Sequence, residues 1–361
     1  MSRGAIAILS SENLLHNVQQ VKAAAPSKPM IAMVKANAFG HGIRSTSLRL
    51  EKYVDNLGVA SIEEALALRK VGIKKPITLI EGVFEPDELL VAACQQFHVV
   101  FHDMMQLEWL KGLHLPLPLT AWIKVDTGMG RLGFTIDDAP HALRVLKESK
   151  FIQQPIGLMS HLSCADEPNH PLNAVQLDAF SKLAKDWQGP KSLSNSAAIF
   201  SMPQTHFDVI RPGICLYGIS PVQHKKASDF NLKPVMTLQT RLISVRKREA
   251  DSFVGYGGTY KCAEPMNIGV IAIGYGDGYL RSLPSHTPVL VNDKKCHLVG
   301  RISMDMAAID LRGCDNAKVG DPVILWGEGL PIEEIIANSP MIANEMLTSV
   351  QSRVKFHWTL S

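Results

Sequence analysis

Residues 57–70 read LGVASIEEALALRK, and this stretch contains one complete unit of the fold. The apolar run Leu57–Ala60 has the length of a buried strand. Ser61 follows at the position of a helix N-cap, and a carboxylate stands three residues later at Glu64. Alanine and leucine then form an apolar face up to Lys70. The pattern therefore predicts a β-strand that leads directly into an amphipathic helix.

The same unit recurs between residues 30 and 215. Helical patterns such as Glu85–Gln96 and Ala174–Trp187 alternate with short apolar runs. We interpret the following runs as strands: Met30–Val34, Leu57–Ala60, Ile77–Ile80, His98–Phe101, Thr120–Val125, Ile156–His161, Lys191–Ser194 and Phe207–Ile210. Alternating strands and helices predict a parallel sheet with right-handed crossovers. Eight units favour an α/β fold in which the sheet closes into a (β/α)8 barrel of the TIM type.

The pattern changes after about residue 230. The polar stretch Pro221–Lys233 has the composition of a linker, and helical patterns return only at Pro331–Ala337 and Ile342–Val350. Between them lie short β-branched runs separated by glycine, aspartate and proline: Thr237–Val245, Asn267–Ile273, Pro288–Val291, Ala307–Leu311 and Pro322–Trp326. We therefore predict a barrel domain over residues 1–230 and a mostly β C-terminal domain over residues 231–361.

Composition limits the classes of function. Hydrophobic residues make up 46% of the 361 residues and charged residues 20%, which suits two folded domains. The net charge is +3, and no run of like charges predicts a nucleic-acid partner. No apolar run has the length of a membrane span or a signal peptide. The six cysteines are scattered, so we expect reduced thiols, no metal site and a cytoplasmic protein.

Polar and cationic residues follow five of the predicted barrel strands. The active site of a (β/α)8 barrel lies at the carboxyl ends of its strands, so these residues are expected to share one rim. They are Lys35 after the first strand, Lys124 and Arg131 after the fifth, His161 at the end of the sixth, Asn195 and Ser196 after the seventh, and Arg211, Gly213 and Ile214 after the eighth. The sequence therefore predicts a site for an anionic ligand at this rim.

Lys35 is the strongest candidate for covalent chemistry. It directly follows the apolar run MIAMV, where partial desolvation favours the neutral amine that forms a Schiff base. The glycines of the Gly40–Gly42 turn allow the backbone to approach a ligand closely. The alternative is a lysine whose ammonium extends from the barrel mouth into water, and spacing alone does not exclude it.

The loops after strands seven and eight form the usual phosphate corner of such barrels. Ser196 and the amides of Gly213 and Ile214 are candidate donors there. Ser196 could also cap the helix that follows, Arg211 could belong to a structural ion pair, and His161 could be a hydrogen-bonded core histidine. These alternatives stay open at the level of residue spacing.

Residues 128–133 read GMGRLG and fit the G-x-G-x-x-G pattern of dinucleotide-binding folds, with Glu148 at about the expected spacing of ~20 residues. A dinucleotide site needs a helix that opens within the motif. Here the helical pattern begins only near Asp137, and Arg131 interrupts the turn. We therefore disfavour a dehydrogenase.

Three segments of the second domain combine glycine with tyrosine, methionine or aspartate. They are VGYGGTY (254–260), GYGDGY (274–279) and GRISMDM (300–306). Taken singly, each is typical of turns and packing. Together with the barrel motifs, however, they form an ordered set of motifs along the chain.

In order along nearly the whole chain, these motifs resemble the alanine racemases, which are pyridoxal-phosphate enzymes of fold-type III. VKANAFGHG (34–42) resembles the family's cofactor-lysine motif, and VDTGMGRLG (125–133) its arginine loop. SNSAA (194–198) and RPGICLYGISP (211–221) resemble its phosphate and pyridine-nitrogen segments, and the three C-terminal segments resemble its remaining active-site loops. The resemblance implies a homodimer in which each active site includes the partner's C-terminal domain. It also implies interconversion of L- and D-alanine, which supplies D-alanine for peptidoglycan.

The resemblance implies two bases and a cofactor cradle. Lys35 would bind pyridoxal 5'-phosphate covalently and act as the base toward D-alanine, and Tyr256 of the other subunit would act toward L-alanine. Arg211 would hydrogen-bond the pyridine nitrogen, with His161 beside it. The matched residues of the phosphate segments are Asn195, Ser196, Gly213 and Ile214.

The resemblance also implies a substrate pocket and its support. Arg131 would contact the cofactor's phenolic oxygen and the substrate carboxylate, and the backbone of Met304 would contact the same carboxylate. Lys124 matches a lysine that is often carbamylated and holds this arginine. Tyr275 would line the entrance, and Asp305 would support the loop.

Three positions depart from the family pattern. Phe39 stands where tyrosine is common, and Ser352 where another phosphate-contacting tyrosine occurs. Loss of one neutral hydrogen bond costs roughly 0.5–1.5 kcal/mol, so we expect weaker cofactor retention. Ser303, where cysteine is frequent, affects nothing essential.

Three rival functions remain at this level. A decarboxylase on the same barrel would need a cysteine and aspartate pair that we do not find, and another amino acid as substrate stays open. A non-catalytic cofactor-binding barrel is disfavoured by the second domain with Tyr256 and Met304.

Overall fold

The structure is a computed structural model, and it describes residues 4–337, 339 and 341–359. Within these residues the chain divides into two compact units. One consists of Leu15–Leu216 and Ser220–Leu232. The other combines the chain up to Leu14 with Tyr217–Ile219 and the residues from Lys233 onward. None of the described helices has the length and apolar character needed to span a bilayer.

The described elements alternate strictly in the first unit and are mostly strands in the second. The strands are β1 (Ile6–Ser10), β2 (Ile31–Met33), β3 (Asn56–Val59), β4 (Ile77–Leu79), β5 (Phe97–Phe101), β6 (Leu119–Lys124), β7 (Ile152–Met159), β8 (Lys191–Ser192), β9 (Met236–Arg248), β10 (Phe253–Val254), β11 (Tyr260–Lys261), β12 (Met266–Ile271), β13 (Pro288–Val291), β14 (Lys294–Val299), β15 (Ala307–Asp310), β16 (Pro322–Trp326) and β17 (Lys355–Thr359). The helices are α1 (Ser11–Ala24), α2 (Ile43–Leu50), α3 (Ile62–Lys70), α4 (Pro86–Gln95), α5 (Met104–Trp109), α6 (Ala139–Glu148), α7 (Pro171–Ala184), α8 (Ser196–Ser201), α9 (Ile332–Ile336) and α10 (Ala343–Ser349).

Strands β2 to β8 form a parallel sheet in chain order, as the strand-helix alternation predicts. The predicted eighth strand contributes a single parallel bridge, between Ile210 and Met30. The Ile31 amide donates to the Ile210 carbonyl at 2.9 Å, and on the other side the Arg211 amide donates to the Ser194 carbonyl at 3.0 Å. These bonds connect the last segment to both edges of the sheet and close the barrel.

Large and small residues alternate inside the barrel. Trp122 is buried with Met33 and Met159 in one cluster. A side chain at Gly157 would begin 2.3 Å from the Trp122 ring, so glycine is required there for the indole to fit. The barrel interior is therefore a packed core, and its chemistry is confined to the rims.

The helix that follows β3 begins where the sequence predicts, but its N-terminus is held differently. Ser61 makes no side-chain cap, and its hydroxyl pairs with the Glu63 carboxylate. The Glu64 carboxylate reaches one residue further back than a capping box would and accepts from the Ala60 amide at 3.0 Å. The Glu64 carboxylate thereby also lies close to the neighbouring loop after β2.

The second unit is built on an eight-stranded sheet in the order β12-β15-β14-β13-β16-β9-β1-β17. The thirteen-residue strand β9 also pairs with β12, so six of these strands close on themselves. The mostly β character predicted for this part of the chain is confirmed. Strand β1, which the predicted division places with the barrel, pairs with β9 and β17 in this unit.

Candidate active site

The loop after β2 presents Lys35 at the carboxyl rim of the barrel. Its Nζ donates to Oε1 of Glu81 at 3.1 Å. Glu81 stands in the loop after β4, and sequence reasoning did not select it. Two residues from different strands therefore form an ion pair at the place where the rim pattern predicts chemistry.

Four consecutive residues after Lys35, Ala36 to Phe39, have φ between 49° and 55° and form one left-handed turn. Such a conformation costs L-residues about 1–2 kcal/mol each. The Ile43 amide donates to Oδ1 of Asn37 at 2.8 Å, and Nδ1 of His41 lies 2.9 Å from the Phe39 carbonyl. Burial lowers the pKa of His41 to about 4, so the neutral ring donates its Nδ1 proton to that carbonyl. These local hydrogen bonds hold the turn.

The segment 125–133 forms an arginine loop and not a dinucleotide turn. The Asp126 carboxylate accepts from the amides of Gly128, Met129 and Gly130 at 2.8–2.9 Å. The loop returns to bridge Val125 with Phe134, and helix α6 begins only after the loop. Because no helix opens inside the motif, the structure agrees with the low weight given to a dehydrogenase.

Lys124 and Arg131 differ in their exposure to solvent. Lys124 is buried at the end of β6, whereas Arg131 is exposed. Burial is the main reason that the pKa of Lys124 falls to about 8, and the nearby cations of Arg131 and Arg211 lower it further. A large share of Lys124 is therefore neutral just above physiological pH.

Arg211 is buried at the barrel rim, and His161 lies half-buried beside it. Arg211 Nη1 donates to the Ser192 hydroxyl at 2.6 Å, and Nη2 donates to the carbonyls of Ser160 and Leu193. Burial lowers the pKa of Arg211 to about 10, which leaves the guanidinium charged at neutral pH. The pKa of His161 falls well below its usual value, first through burial and then through Arg211, so its neutral Nδ1 accepts from Arg211 at 3.3 Å.

Ser196, Gly213 and Ile214 meet at the predicted phosphate corner. The Gly213 amide donates to the Ser196 hydroxyl at 2.7 Å, and Ile214 begins a short 3-10 turn. The helix α8 is capped by Asn195, whose Oδ1 accepts from an amide of the first turn at 3.1 Å. The capping role considered for Ser196 thus belongs to Asn195, and the Ser196 hydroxyl faces Gly213.

Phe39 packs against the same corner. A side chain at Gly213 would begin 3.1 Å from Cζ of Phe39. The para position of the ring therefore lies next to Gly213. This is the place where a tyrosine hydroxyl would add a donor.

In the β unit, Tyr256 stands on a glycine-rich turn. Gly255, Gly257 and Gly258 have positive φ, and Tyr256 itself is exposed. The guanidinium of Arg301 lies beside this turn, 3.3 Å from where a side chain at Gly257 would begin. Arg301 lies in a motif that the sequence analysis quoted, but no spacing rule connected it with Tyr256.

The segments that carry Tyr275 and Met304 are bonded to each other. The Tyr275 amide donates to the Ser303 carbonyl at 3.1 Å, and the Gly276 amide donates to the Met304 carbonyl at 2.8 Å. Arg353 joins them through Asp305 at 2.7 Å and Asp277 at 3.2 Å. Sequence reasoning selected Asp305 but missed Arg353, since 48 residues separate the two.

The barrel residues match one kind of cofactor. Lys35 is a primary amine at the rim, Arg211 is a buried fixed donor, and glycine at position 213 leaves its backbone amide beside the Ser196 hydroxyl without a side chain of its own. An amine, a fixed cation and a cradle of donors suit an aromatic aldehyde that carries a phosphate. Within the described residues, no group of histidine, cysteine or carboxylate side chains could hold a metal ion.

Comparisons with known proteins match one family over nearly the full length of the chain. The family profile "Alanine racemase, N-terminal domain" matches residues 9–221, and "Alanine racemase, C-terminal domain" matches residues 235–358. The chain is 45% identical over 357 residues to an alanine racemase of Coxiella burnetii, covering 98% of each chain.

Two solved structures share the fold. A biosynthetic alanine racemase from Pseudomonas aeruginosa is similar with a TM-score of 0.96 and 38% identity, over 100% of both chains. An alanine racemase from Bartonella henselae, solved with covalently bound pyridoxal phosphate, is similar with a TM-score of 0.88 and 29% identity, over 99% of both chains.

Proposed function

Because the chain belongs to the alanine racemase family, we propose that its barrel rim holds pyridoxal 5'-phosphate and racemises alanine with two bases. Alanine racemase activity itself follows from family membership over the whole chain. The observation that carries the site assignment is the cluster of Lys35, Arg211 and the Ser196–Gly213 corner on one barrel rim. The cofactor, the residue roles and the dimer are the parts that we propose.

Five groups would hold the cofactor. Lys35 would bind its aldehyde, Arg211 its pyridine nitrogen, and Ser196 with the amides of Gly213 and Ile214 its phosphate. When bound, pyridoxal phosphate delocalises the negative charge that forms at the α-carbon. Arg211 is held by fixed acceptors and keeps its proton, so it supplies a donor without protonating the ring nitrogen. We expect this to suppress side reactions such as transamination.

Racemisation needs a proton acceptor on each face of the α-carbon. We assign Lys35 to the face that carries the proton in D-alanine and Tyr256 of a second subunit to the opposite face. Phe253, Tyr256, Tyr275 and Met304 are all exposed in the described β unit. Exposed aromatic and methionine side chains on one unit are typical of a surface that a partner covers, which supports a homodimer.

Arg131 would contact the substrate carboxylate, and Lys124 would hold Arg131. The Asp126-anchored loop places the exposed Arg131 guanidinium within electrostatic reach of Lys124. The neutral fraction of Lys124 can react with carbon dioxide to give a carbamate, which would be an anionic partner for Arg131. The Met304 backbone would contribute from the second subunit, with Tyr275 at the entrance.

D-alanine for peptidoglycan is the family's usual role, and we propose the same role here in the cytoplasm. All six cysteines are unpaired, which supports a reducing compartment.

The test adds pyridoxal phosphate to the purified chain and follows D-alanine formation and α-proton exchange from L-alanine in D2O. We expect racemisation that Lys35→Ala abolishes and that the matched control Lys52→Ala, at an exposed lysine, retains. Cofactor absorbance without turnover of alanine would move the assignment to another amino acid. Absence of a cofactor absorbance band would contradict the rim assignment.

A further inference from the structure

Glu81 is the acidic partner of Lys35 at the barrel rim. The two side chains are 36% and 35% exposed, and Nζ and Oε1 are 3.1 Å apart. The charge of Glu81 also acts on Lys124, where it opposes the lowering of that pKa by burial and by the neighbouring cations. One carboxylate thus faces two lysines of the rim.

The loop that carries Glu81 is built to hold it. Nε2 of His102 lies 3.1 Å from the Glu81 carbonyl, and because a carbonyl only accepts, the ring donates this bond. Gln106 donates to the Val83 carbonyl at 2.9 Å. A side chain at Gly82 would begin 2.4 Å from the Val100 carbonyl, so the loop packs tightly on β5. The backbone under the carboxylate is fixed from both sides.

The Asp126 carboxylate near this cluster is committed elsewhere. Both oxygens of Asp126 accept backbone amides of the arginine loop. Arg131, Lys124 and Arg211 add positive charge around His161, as its lowered pKa indicates. Glu81 is therefore placed to balance a positive charge that appears on Lys35.

We propose that Glu81 is a positioning residue that pairs with the Lys35 ammonium during catalysis. The inference rests on the proposed function. When the lone pair of Nζ takes the α-proton of D-alanine, the electron pair of the C–H bond stays on the substrate, and the new ammonium stays paired with Glu81. The same pairing gives the Lys35 ammonium a partner when L-alanine binds, so Glu81 acts on one base only.

This assignment predicts an asymmetric kinetic pattern for Glu81→Gln, which keeps the side-chain shape and removes the charge. Protonated Lys35 is needed before L-alanine reacts but is formed only during the reaction of D-alanine. From D-alanine to L-alanine, we expect kcat to fall about two- to five-fold with an unchanged KM, since ion pairs of this exposure change equilibria by about that factor. From L-alanine to D-alanine, we expect KM to rise by the same factor with an unchanged kcat.

The two directions check each other. The equilibrium constant between enantiomers is one, so kcat/KM must stay equal in both directions. A loss of kcat by equal factors in both directions, or no change in either, would overturn the proposal. Glu85→Gln removes the same charge at an exposed position four residues away and should behave as the unaltered chain.

A second measurement does not use turnover. The full chain is freed of cofactor with hydroxylamine, and the rate at which added pyridoxal phosphate develops its bound absorbance is recorded. Because Nζ must leave its ion pair with Glu81 before it attacks the aldehyde, we expect uptake about two- to five-fold faster in Glu81→Gln. Unchanged or slower uptake, with circular dichroism that shows a folded chain, would overturn the role of Glu81. Racemisation by the unaltered chain is read separately, so failure of the proposed function stays distinguishable.

Discussion

On the barrel rim, Arg211 and Lys124 are 5% and 6% exposed, whereas in the β unit Tyr256 and Met304 are 67% and 53% exposed. Arg211 is held by buried acceptors, and burial lowers the pKa values of both Arg211 and Lys124. Tyr256 stands on a glycine-rich turn at the surface, and Met304 lies in an exposed loop. The difference teaches that one chain fixes the electrostatics of its barrel rim by burial alone. It is also the reason that we propose a second subunit as the source of the environment of Tyr256.

The largest effect is expected for Tyr256, the more exposed of the two β-unit groups. Tyr256→Ala should lower racemisation by about 100- to 10,000-fold, the usual contribution of a general base. The free energy of unfolding should change by no more than about 0.5 kcal/mol, because the side chain is exposed. Rate assays and urea titration measure the two quantities. Exchange of the α-proton from L-alanine should suffer more than exchange from D-alanine, and equal loss would remove the two-base assignment.

At the buried end, Arg211→Ala should lower stability as well as activity. It leaves the carbonyls of Ser160 and Leu193 without their donor, and each buried unsatisfied group costs about 1–3 kcal/mol. We expect a loss of roughly 3 kcal/mol in the free energy of unfolding. The matched control is Arg131→Ala, an exposed arginine, which should cost less than about 0.5 kcal/mol. Similar losses in the free energy of unfolding of the two variants would contradict the difference between buried and exposed groups.

The burial of Lys124 makes the stability of the fold depend on pH. Its folded pKa of about 8 is below the ordinary 10.5, so between these values the unfolded chain binds more protons and stability rises with pH. Relative to Lys124→Met, which has no such titration, the chain should gain on the order of 3 kcal/mol across that window. Urea titrations of both proteins under CO2-free conditions test this. A stability difference that stays constant with pH would mean that Lys124 is not desolvated.

The smallest effect concerns Phe39. Phe39→Tyr places a hydroxyl next to Gly213 and should lower the dissociation constant of pyridoxal phosphate about two- to ten-fold, the value of one neutral hydrogen bond. Phe84→Tyr, at an exposed phenylalanine, is the control. Equilibrium dialysis measures the dissociation constants of the unaltered chain and the two variants. Equal dissociation constants for all three proteins would show that the phosphate does not reach this corner.

Sequence reasoning succeeded where the pattern is local. Seven barrel strands lie within a few residues of their predicted positions, because each is a short apolar run bounded by turns. The rim residues followed from one rule, that barrel chemistry lies at the carboxyl ends of strands. The division at residue 230 and the individual roles at the rim stay predictions.

It failed where the partner is distant in the chain. Strand β1 pairs with β17, about the full length of the chain away, and no periodicity reveals such a pair. Glu81 and Lys35 are 46 residues apart on different loops, and only folding makes them neighbours. Arg353 was missed for the same reason. Propensity also predicts the opposite of the left-handed turn, since alanine is the best right-handed helix former.

That turn has a stereochemical consequence. A D-residue prefers the positive φ that Ala36 and Ala38 adopt, so the mirror-image form of alanine fits this backbone without strain. Ribosomal synthesis supplies only the L-form, and the chain must enforce the turn through His41 and Asn37. The protein that produces D-alanine thus holds, beside its reactive lysine, a backbone shape that its own product would adopt by preference.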